Sequence, residues 1–177
     1  MNKIIFVPVR DYFQSRKRIL LKLLVPFSVG LISLVVAILF DFGNTDDIKS
    51  VFSEFINVQI NIVAILISFS VAIITILVSA DNKNIEQLKN TQSTTCKAIN
   101  GKKLSLFQVL LSNIAYNAIV EIVYLIMLIA VFLVKNVISI CIFKYITAIC
   151  IFVILHILFV LLESVAQMYL TFWDNKE

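Results

Sequence analysis

Three ionisable side chains lie inside long apolar runs of this sequence, where a charge is costly. A carboxylate or imidazole at membrane depth costs several kcal/mol unless it is paired or hydrated, so such residues mark a candidate functional site. Amides accompany them at intervals of four residues, and the two ionisable residues of the second set are seven residues apart, which places each set on one helix face. The two polar stripes are Asn113, Asn117 and Glu121 in one run and His156, Glu163 and Gln167 in the next.

The two stripes match in depth when residues are counted from the predicted cytoplasmic ends of their helices at about 1.5 Å each. Glu121 is then level with His156, and Glu163 is level with Asn113, one turn from Asn117. We therefore expect Glu121 to pair with His156 and Glu163 to be held by the two amides, within one chain or between copies. Such a group could move a proton or respond to acidity, because histidine titrates near neutral pH. It could equally be a buried network that fixes helix register.

Several enzyme chemistries are missing from the sequence. It has no GxSG serine, no HExxH pair, no paired aspartates within an apolar run and no CxxC, and three glycines are too few for a phosphate-binding loop. We predict that the protein is not an enzyme and needs neither a cofactor nor a metal. The basic residues flank the apolar runs and form no separate basic domain, so direct nucleic-acid binding is not expected.

The apolar runs themselves predict the fold class, an all-α polytopic membrane protein. With 60% apolar residues, the chain has too little polar surface for a soluble globule of this size. Each run reaches the roughly 20 residues that a helix needs to cross the bilayer. We predict a single membrane domain, a four-transmembrane-helix bundle, with spans at about 19–40, 56–80, 106–134 and 145–170.

Lysine and arginine are distributed unevenly between the two sides. An arrangement with both termini in the cytoplasm places twelve of the fifteen basic residues there, as the positive-inside rule requires. The 41–55 loop, with four acidic residues and one lysine, then lies outside.

A different stripe, made of small and polar residues, follows one face of the second span at steps of three and four. Such residues allow close helix packing, and in an oligomer the same face could line a pore. Both interpretations stay open for Asn57, Asn61, Ala64, Ser68, Ala72, Thr75 and Ser79.

Two segments outside the spans are candidates for surface contacts. Residues 9–18 mix apolar and basic side chains, which is typical of a short interfacial helix against anionic headgroups. Residues 81–105 form the largest cytoplasmic connection, either a docking surface for a soluble partner or a simple hydrated hairpin. Within it, the spacing of apolar residues predicts a polar helix over 81–90 that could extend the second span, and residues 100–101 are predicted to form a turn. The basic residues expected to contact the membrane surface or a partner are Arg10, Arg16, Lys17, Arg18, Lys83, Lys89, Lys102 and Lys103.

The four spans, the basic N-terminal segment, the connection from Asp81 to Ser105 and the composition rich in isoleucine, lysine and asparagine resemble the membrane subunit of the Kiwa anti-phage systems. The resemblance covers the whole chain as architecture and composition. It implies a homo-oligomer, with a tetramer as the expected size, in the bacterial inner membrane. It also implies detection of infecting phage together with a cytosolic partner.

Two functions follow from these observations. The first is a non-enzymatic, homo-oligomeric inner-membrane protein that senses or transmits a membrane event to a cytosolic effector, in anti-phage defence. The second is an ion-conducting pore or a proton-coupled transporter that uses Glu121, His156 and Glu163.

Overall fold

Six α-helices account for most of the residues that the computed structural model describes, which are 6–16, 19–39, 45–79, 83–93, 96 and 103–173. The helices are α1 (Val7–Ser15), α2 (Ile19–Leu39), α3 (Thr45–Ser79), α4 (Lys83–Asn90), α5 (Leu106–Val134) and α6 (Ile140–Trp173). Within these ranges, α2, α3, α5 and α6 are long and apolar enough to cross a membrane. The predicted all-α class is therefore confirmed, and the four long apolar helices are compatible with a multi-pass membrane protein.

Two spans extend further than their apolar runs. α3 begins at Thr45, inside the segment predicted as a loop, and α6 begins at Ile140. The early part of α3 is amphipathic, with Ile48, Val51 and Phe55 at helical spacing, and its first turn carries acidic residues that favour a helix N-terminus. A search for continuous apolarity misses such a segment. At 1.5 Å per residue, α3 is about 52 Å long and exceeds the hydrocarbon core of a bilayer.

α2 makes the least contact with the rest of the protein. Only 11% of its apolar window is buried, the lowest share among the four spans in the described ranges. Its buried residues are Pro26 and Gly30. A β-carbon on Gly30 would lie 3.2 Å from the Ala148 carbonyl oxygen and 3.2 Å from Cβ of Phe152, so glycine permits a close approach to α6. Pro26 lies inside the helix rather than at its start, although proline is common at the first position of a helix.

The chain divides into two compact units. Unit 1 contains residues 1–19, 68–120 and 158–177, and unit 2 contains residues 20–67 and 121–157. In unit 1, Leu77, Ile85, Leu88, Leu110 and Ile114 form a buried apolar cluster. In unit 2, the rings of Phe52 and Phe143 stack with centroids 4.0 Å apart. Each unit therefore has an apolar core of its own.

Large apolar side chains cover much of the outer surface of the spans. Leu20, Ile65, Ile126 and Leu133 are each more than 60% exposed. In water so much apolar surface would drive aggregation, whereas hydrocarbon solvates it. The exposed faces therefore suit lipid contact.

The connection between α3 and α5 belongs to unit 1, and its described part packs within that unit. Ile85 and Leu88 of α4 are buried in the apolar cluster, which confirms a helix within the predicted 81–90 segment. After α4, the Ser93 amide donates to the Leu104 carbonyl at 2.9 Å and the Leu106 amide to the Thr91 carbonyl at 2.9 Å. The predicted turn at 100–101 lies outside the described residues. These contacts fix the described part of the connection, while its role as a docking surface or a simple hairpin stays a prediction.

Candidate functional site

Arg16 lies immediately after α1 and is almost completely buried, with 4% of the residue exposed. Its backbone is extended, with φ −85° and ψ 131°, so α1 ends at Ser15 and the side chain leaves the helix direction. The same backbone forms an antiparallel bridge with Cys96 of the connection. Arg16 therefore joins the N-terminal segment to the connection that follows α4.

The guanidinium group of Arg16 completes a ring of hydrogen bonds in unit 1. Nη1 donates to Oε1 of Glu163 at 2.6 Å, and Nη2 donates to Oδ1 of Asn113. The Asn113 amide donates to Oε1 of Gln167 at 3.4 Å, and the Gln167 amide donates to Oε1 of Glu163 at 3.1 Å. We call these four residues the Arg16 network. It ties α1, α5 and α6 together through side chains alone.

Two stacked tyrosines cover one side of the Arg16 network. The rings of Tyr12 and Tyr116 are parallel, with centroids 4.0 Å apart, and the guanidinium carbon of Arg16 lies 5.3 Å from the Tyr12 centroid. Tyr12 is 1% exposed, and its hydroxyl has no hydrogen-bond partner within the described part of the chain. Burial raises the pKa of Tyr12 to about 12, while Arg16 acts to lower it and Glu163 to raise it. The neutral phenol is therefore the form that fits this site.

The buried ion pair is the dominant electrostatic feature of this site. The side chains of Arg16 and Glu163 are 2% and 24% exposed, whereas those of Arg10 and Asp11, 3.8 Å apart on α1, are 68% and 35% exposed. A buried charge whose partner is removed destabilises a protein by about 3–5 kcal/mol. An exposed pair contributes about 0–1 kcal/mol. Only the buried pair can strongly fix the position of α1.

For Arg16, the expectation of a membrane-surface or partner contact was wrong, because its side chain is buried and its guanidinium donates to Glu163 and Asn113. The exposed basic residues of the predicted set remain available for surface contacts. They are Arg10, Lys83, Lys89 and Lys103. Lys17, Arg18 and Lys102 lie outside the described residues.

The predicted polar residues of α5 and α6 divide between the two units. Asn113, Asn117, Glu163 and Gln167 belong to unit 1, while Glu121 and His156 belong to unit 2. All six are buried or half-buried, with Glu121 at 0% exposure and His156 at 7%. The His156 ring stacks on Phe152 with centroids 6.4 Å apart. The pairing of Glu121 with His156 stays a prediction.

Unit 2 contains a buried polar contact that the sequence analysis did not predict. The hydroxyl of Tyr124 lies 3.3 Å from Oε1 of Gln59 and 3.1 Å from the Cys150 carbonyl oxygen, so it can donate to either acceptor. Gln59 is 7% exposed and joins α3 to α5 through this contact. Gln59 lies on the apolar face of α3, opposite the small-residue stripe. This position is the feature of the sequence that could have indicated a buried polar contact.

The small-residue stripe of α3 is an exposed surface of that helix. Every member from Asn57 to Ser79 is exposed. The Thr75 and Ser79 hydroxyls donate to carbonyls of their own helix, at 2.9 and 2.6 Å. The side chains that α3 buries are large ones, such as Ile56 and Val63. Helix packing through the stripe and the lining of a pore both stay predictions.

Sequence reasoning missed Arg16 as the partner of Glu163. Depth counting compared only residues within spans, whereas the arginine side chain is long enough to reach inward from the end of α1. The available signal was a carboxylate near the predicted cytoplasmic end of α6, on the same side of the membrane as the cations of the N-terminal segment. The Tyr12–Tyr116 stack had no comparable signal.

Comparison with protein-family models, with curated proteins and with solved structures found no match to this chain. Arguments about function therefore depend on the geometry of the chain itself.

Replacing either member of the buried ion pair should destabilise the protein strongly. We expect Arg16→Gln and Glu163→Gln each to reduce the free energy of unfolding by about 3–5 kcal/mol, because each leaves an unmatched buried charge. The double variant should lose less than either single variant. Thermal unfolding in detergent, followed with a thiol-reactive dye, measures all three. Arg10→Gln is the matched control and should cost about 1 kcal/mol or less. Equal effects of Arg16→Gln and Arg10→Gln would contradict the argument.

Alkaline pH should destabilise the protein partly through Tyr12. The pKa of its phenol is raised from 10.0 to about 12 in the folded chain, so its contribution is present below pH 10 and is lost as the pH rises towards 12. We expect Tyr12→Phe to lose less stability than the parent chain over this interval. At neutral pH the variant should be as stable as the parent, since the removed hydroxyl has no hydrogen-bond partner among the described residues. Unfolding midpoints measured across this pH range test both statements, and parallel curves would refute the first.

Proposed function

We propose that this protein is a non-enzymatic, homo-oligomeric membrane protein that senses or transmits a membrane event to a cytosolic partner. The observation that carries the proposal is the position of Arg16. One buried side chain contacts α5 and α6 within the apolar region, while its backbone pairs with the connection that follows α4. A change at the membrane that moves α1 would therefore be transmitted to the connection.

The N-terminal segment has the surface that a membrane-responsive element needs. Phe6 and Phe13 are 60% and 46% exposed, and Arg10 is exposed beside them. Apolar rings with a nearby cation suit the boundary between headgroups and acyl chains. The opposite face, with Tyr12 and Ser15, is buried. α1 would thus report on the interface while being fixed to the protein.

The Arg16 network supports switching behaviour because its hydrogen bonds form a closed ring. Displacement of Arg16 would leave Glu163 and Asn113 without these contacts, so intermediate positions are unfavourable. A network of this kind favours two discrete arrangements over gradual adjustment. In the proposal, the closed ring is the resting arrangement.

The grouping of segments in unit 1 supports an arrangement with both termini in the cytoplasm. The unit contains α1, α4, the start of α5 and the end of α6. These are the segments that the positive-inside rule assigns to the cytoplasmic side. α4 and the connection expose Lys83, Lys89 and Lys103, a surface suited to an acidic region of a soluble partner.

Assembly into a homo-oligomer is supported by the exposed stripe of α3. Small residues permit close contact between helices of different copies, and exposed amides at Asn57 and Asn61 could bond across that contact. A role in anti-phage defence, with a cytosolic effector as partner, extends the proposal and is tested by plaque formation on cells carrying the gene with its neighbours.

Labelling of Cys96 tests the proposed coupling directly. Cys96 is 9% exposed and its backbone pairs with Arg16, while Cys150 is 0% exposed and Cys141 is exposed. In a Cys141→Ser background reconstituted into vesicles, a membrane-impermeant maleimide should label Cys96 slowly. We expect lysolipid insertion to accelerate labelling. Without lysolipid, Arg16→Gln should accelerate the labelling of Cys96 by about tenfold. This factor corresponds to a loss of about 1.4 kcal/mol in the free energy that keeps Cys96 covered.

The matched control for this experiment is Arg10→Gln, which should label at the parent rate because Arg10 is exposed. If Arg16→Gln also labels at the parent rate, both before and after lysolipid, the proposed coupling is wrong. Circular dichroism of each variant verifies that helical structure is retained.

A pore or proton-coupled transporter is the second candidate, and the burial of Glu121 and His156 within unit 2 favours it. Glu163 is less suited to carrying protons, because it would first have to separate from Arg16. If this candidate is correct, vesicles containing the protein should show proton flux that Glu121→Gln abolishes. Glu54→Gln, at an exposed site, should leave the flux unchanged. Vesicles without flux would favour the sensor.

A further inference from the structure

A groove of about 410 Å³ lies in unit 2, between the end of α2 and the starts of α3 and α6. Its wall is mainly apolar. Phe52 and Phe143, stacked with an interplanar angle of 3° and both buried, form a rigid part of that wall. Val51, Phe55 and Ile140 continue the apolar lining. The groove therefore suits a flexible hydrocarbon chain.

Two opposite charges line the same groove. Asp47 is the third residue of α3 and Lys144 is the fifth residue of α6, and both contribute to the lining. Within the described part of the chain, neither side chain forms an ion pair or hydrogen bond, including one with the other. Phe55 follows Asp47 by eight residues, or about 12 Å along the helix. The charges therefore lie towards the helix starts and the apolar wall continues along the helices.

We propose that this groove binds one phospholipid with an ethanolamine headgroup. The ammonium of the headgroup would donate to Asp47 and its phosphate would accept from Lys144, while an acyl chain lies along Val51 and Phe55. Such a ligand matches both charges and the apolar wall at once. A phosphocholine headgroup has no N–H to donate, and phosphoglycerol has no cation for Asp47. The ethanolamine headgroup is therefore favoured over both.

Native mass spectrometry of the full-length protein tests this proposal. After delipidation in detergent, the protein is incubated with equal amounts of phosphatidylethanolamine, phosphatidylcholine and phosphatidylglycerol of identical chains. We expect one phosphatidylethanolamine per chain to be retained with a preference of about tenfold, as a charge-assisted hydrogen bond would provide. Asp47→Asn combined with Lys144→Gln should abolish the preference.

The matched control replaces neighbouring charges that do not line the groove. Asp46→Asn combined with Lys49→Gln makes the same change in charge at exposed positions and should keep the preference. Ala37→Phe narrows the groove while both charges remain, and it should reduce retention of all three lipids. This variant also decides the question if the first double variant fails to fold.

Equal retention of the three lipids by the parent chain would overturn the proposal and indicate ordinary lipid contact. An unchanged preference in the Asp47→Asn, Lys144→Gln double variant would also overturn it, and so would undiminished lipid retention by Ala37→Phe. The result is separate from the labelling of Cys96, so either proposal can fail alone.

Discussion

A charge that is placed among apolar helices must be matched by another charge and by hydrogen bonds. Hydrocarbon offers neither, so the matching groups have to come from the chain. In this protein the requirement brings together segments that are far apart in sequence, since Arg16 and Glu163 are separated by 147 positions. The close fit of the amides and the tyrosine stack around this pair follows from the same requirement. The N-terminal segment has no other strong electrostatic reason, among the described residues, to lie against α5 and α6.

The spans were predictable because a bilayer imposes a simple rule on composition. Continuous apolarity over the length of a span identified all four, and α5 begins and ends where its apolar run does. The amphipathic start of α3 was missed because its polar residues interrupt that run, although its apolar positions keep helical spacing. Continuous apolar composition indicates a segment suited to lipid, whereas the spacing of apolar residues indicates a helix. The two patterns therefore differ where a helix is expected to extend beyond the hydrocarbon.

The candidate site was predictable only in part. The residues Asn113, Glu163 and Gln167 were identified from their intervals and do belong to one hydrogen-bonded group. Arg16 was assigned to the surface because its neighbours are basic, and local composition cannot show that one arginine turns inward. The stripe of α3 shows a second limit, since its small and polar residues favour either helix packing or the lining of a pore. Small residues permit close contact but do not specify the partner.

Most residues of α2 are not buried against the protein. The helix has 21 residues, so it is about 32 Å long at 1.5 Å per residue, close to one hydrocarbon thickness. Its two buried positions, Pro26 and Gly30, offer few contacts to resist rotation. A thinner bilayer can be accommodated by tilting such a helix at small cost, whereas the other three long helices exceed one hydrocarbon thickness in length. The orientation of α2 should therefore follow bilayer thickness more closely than that of any other span described here.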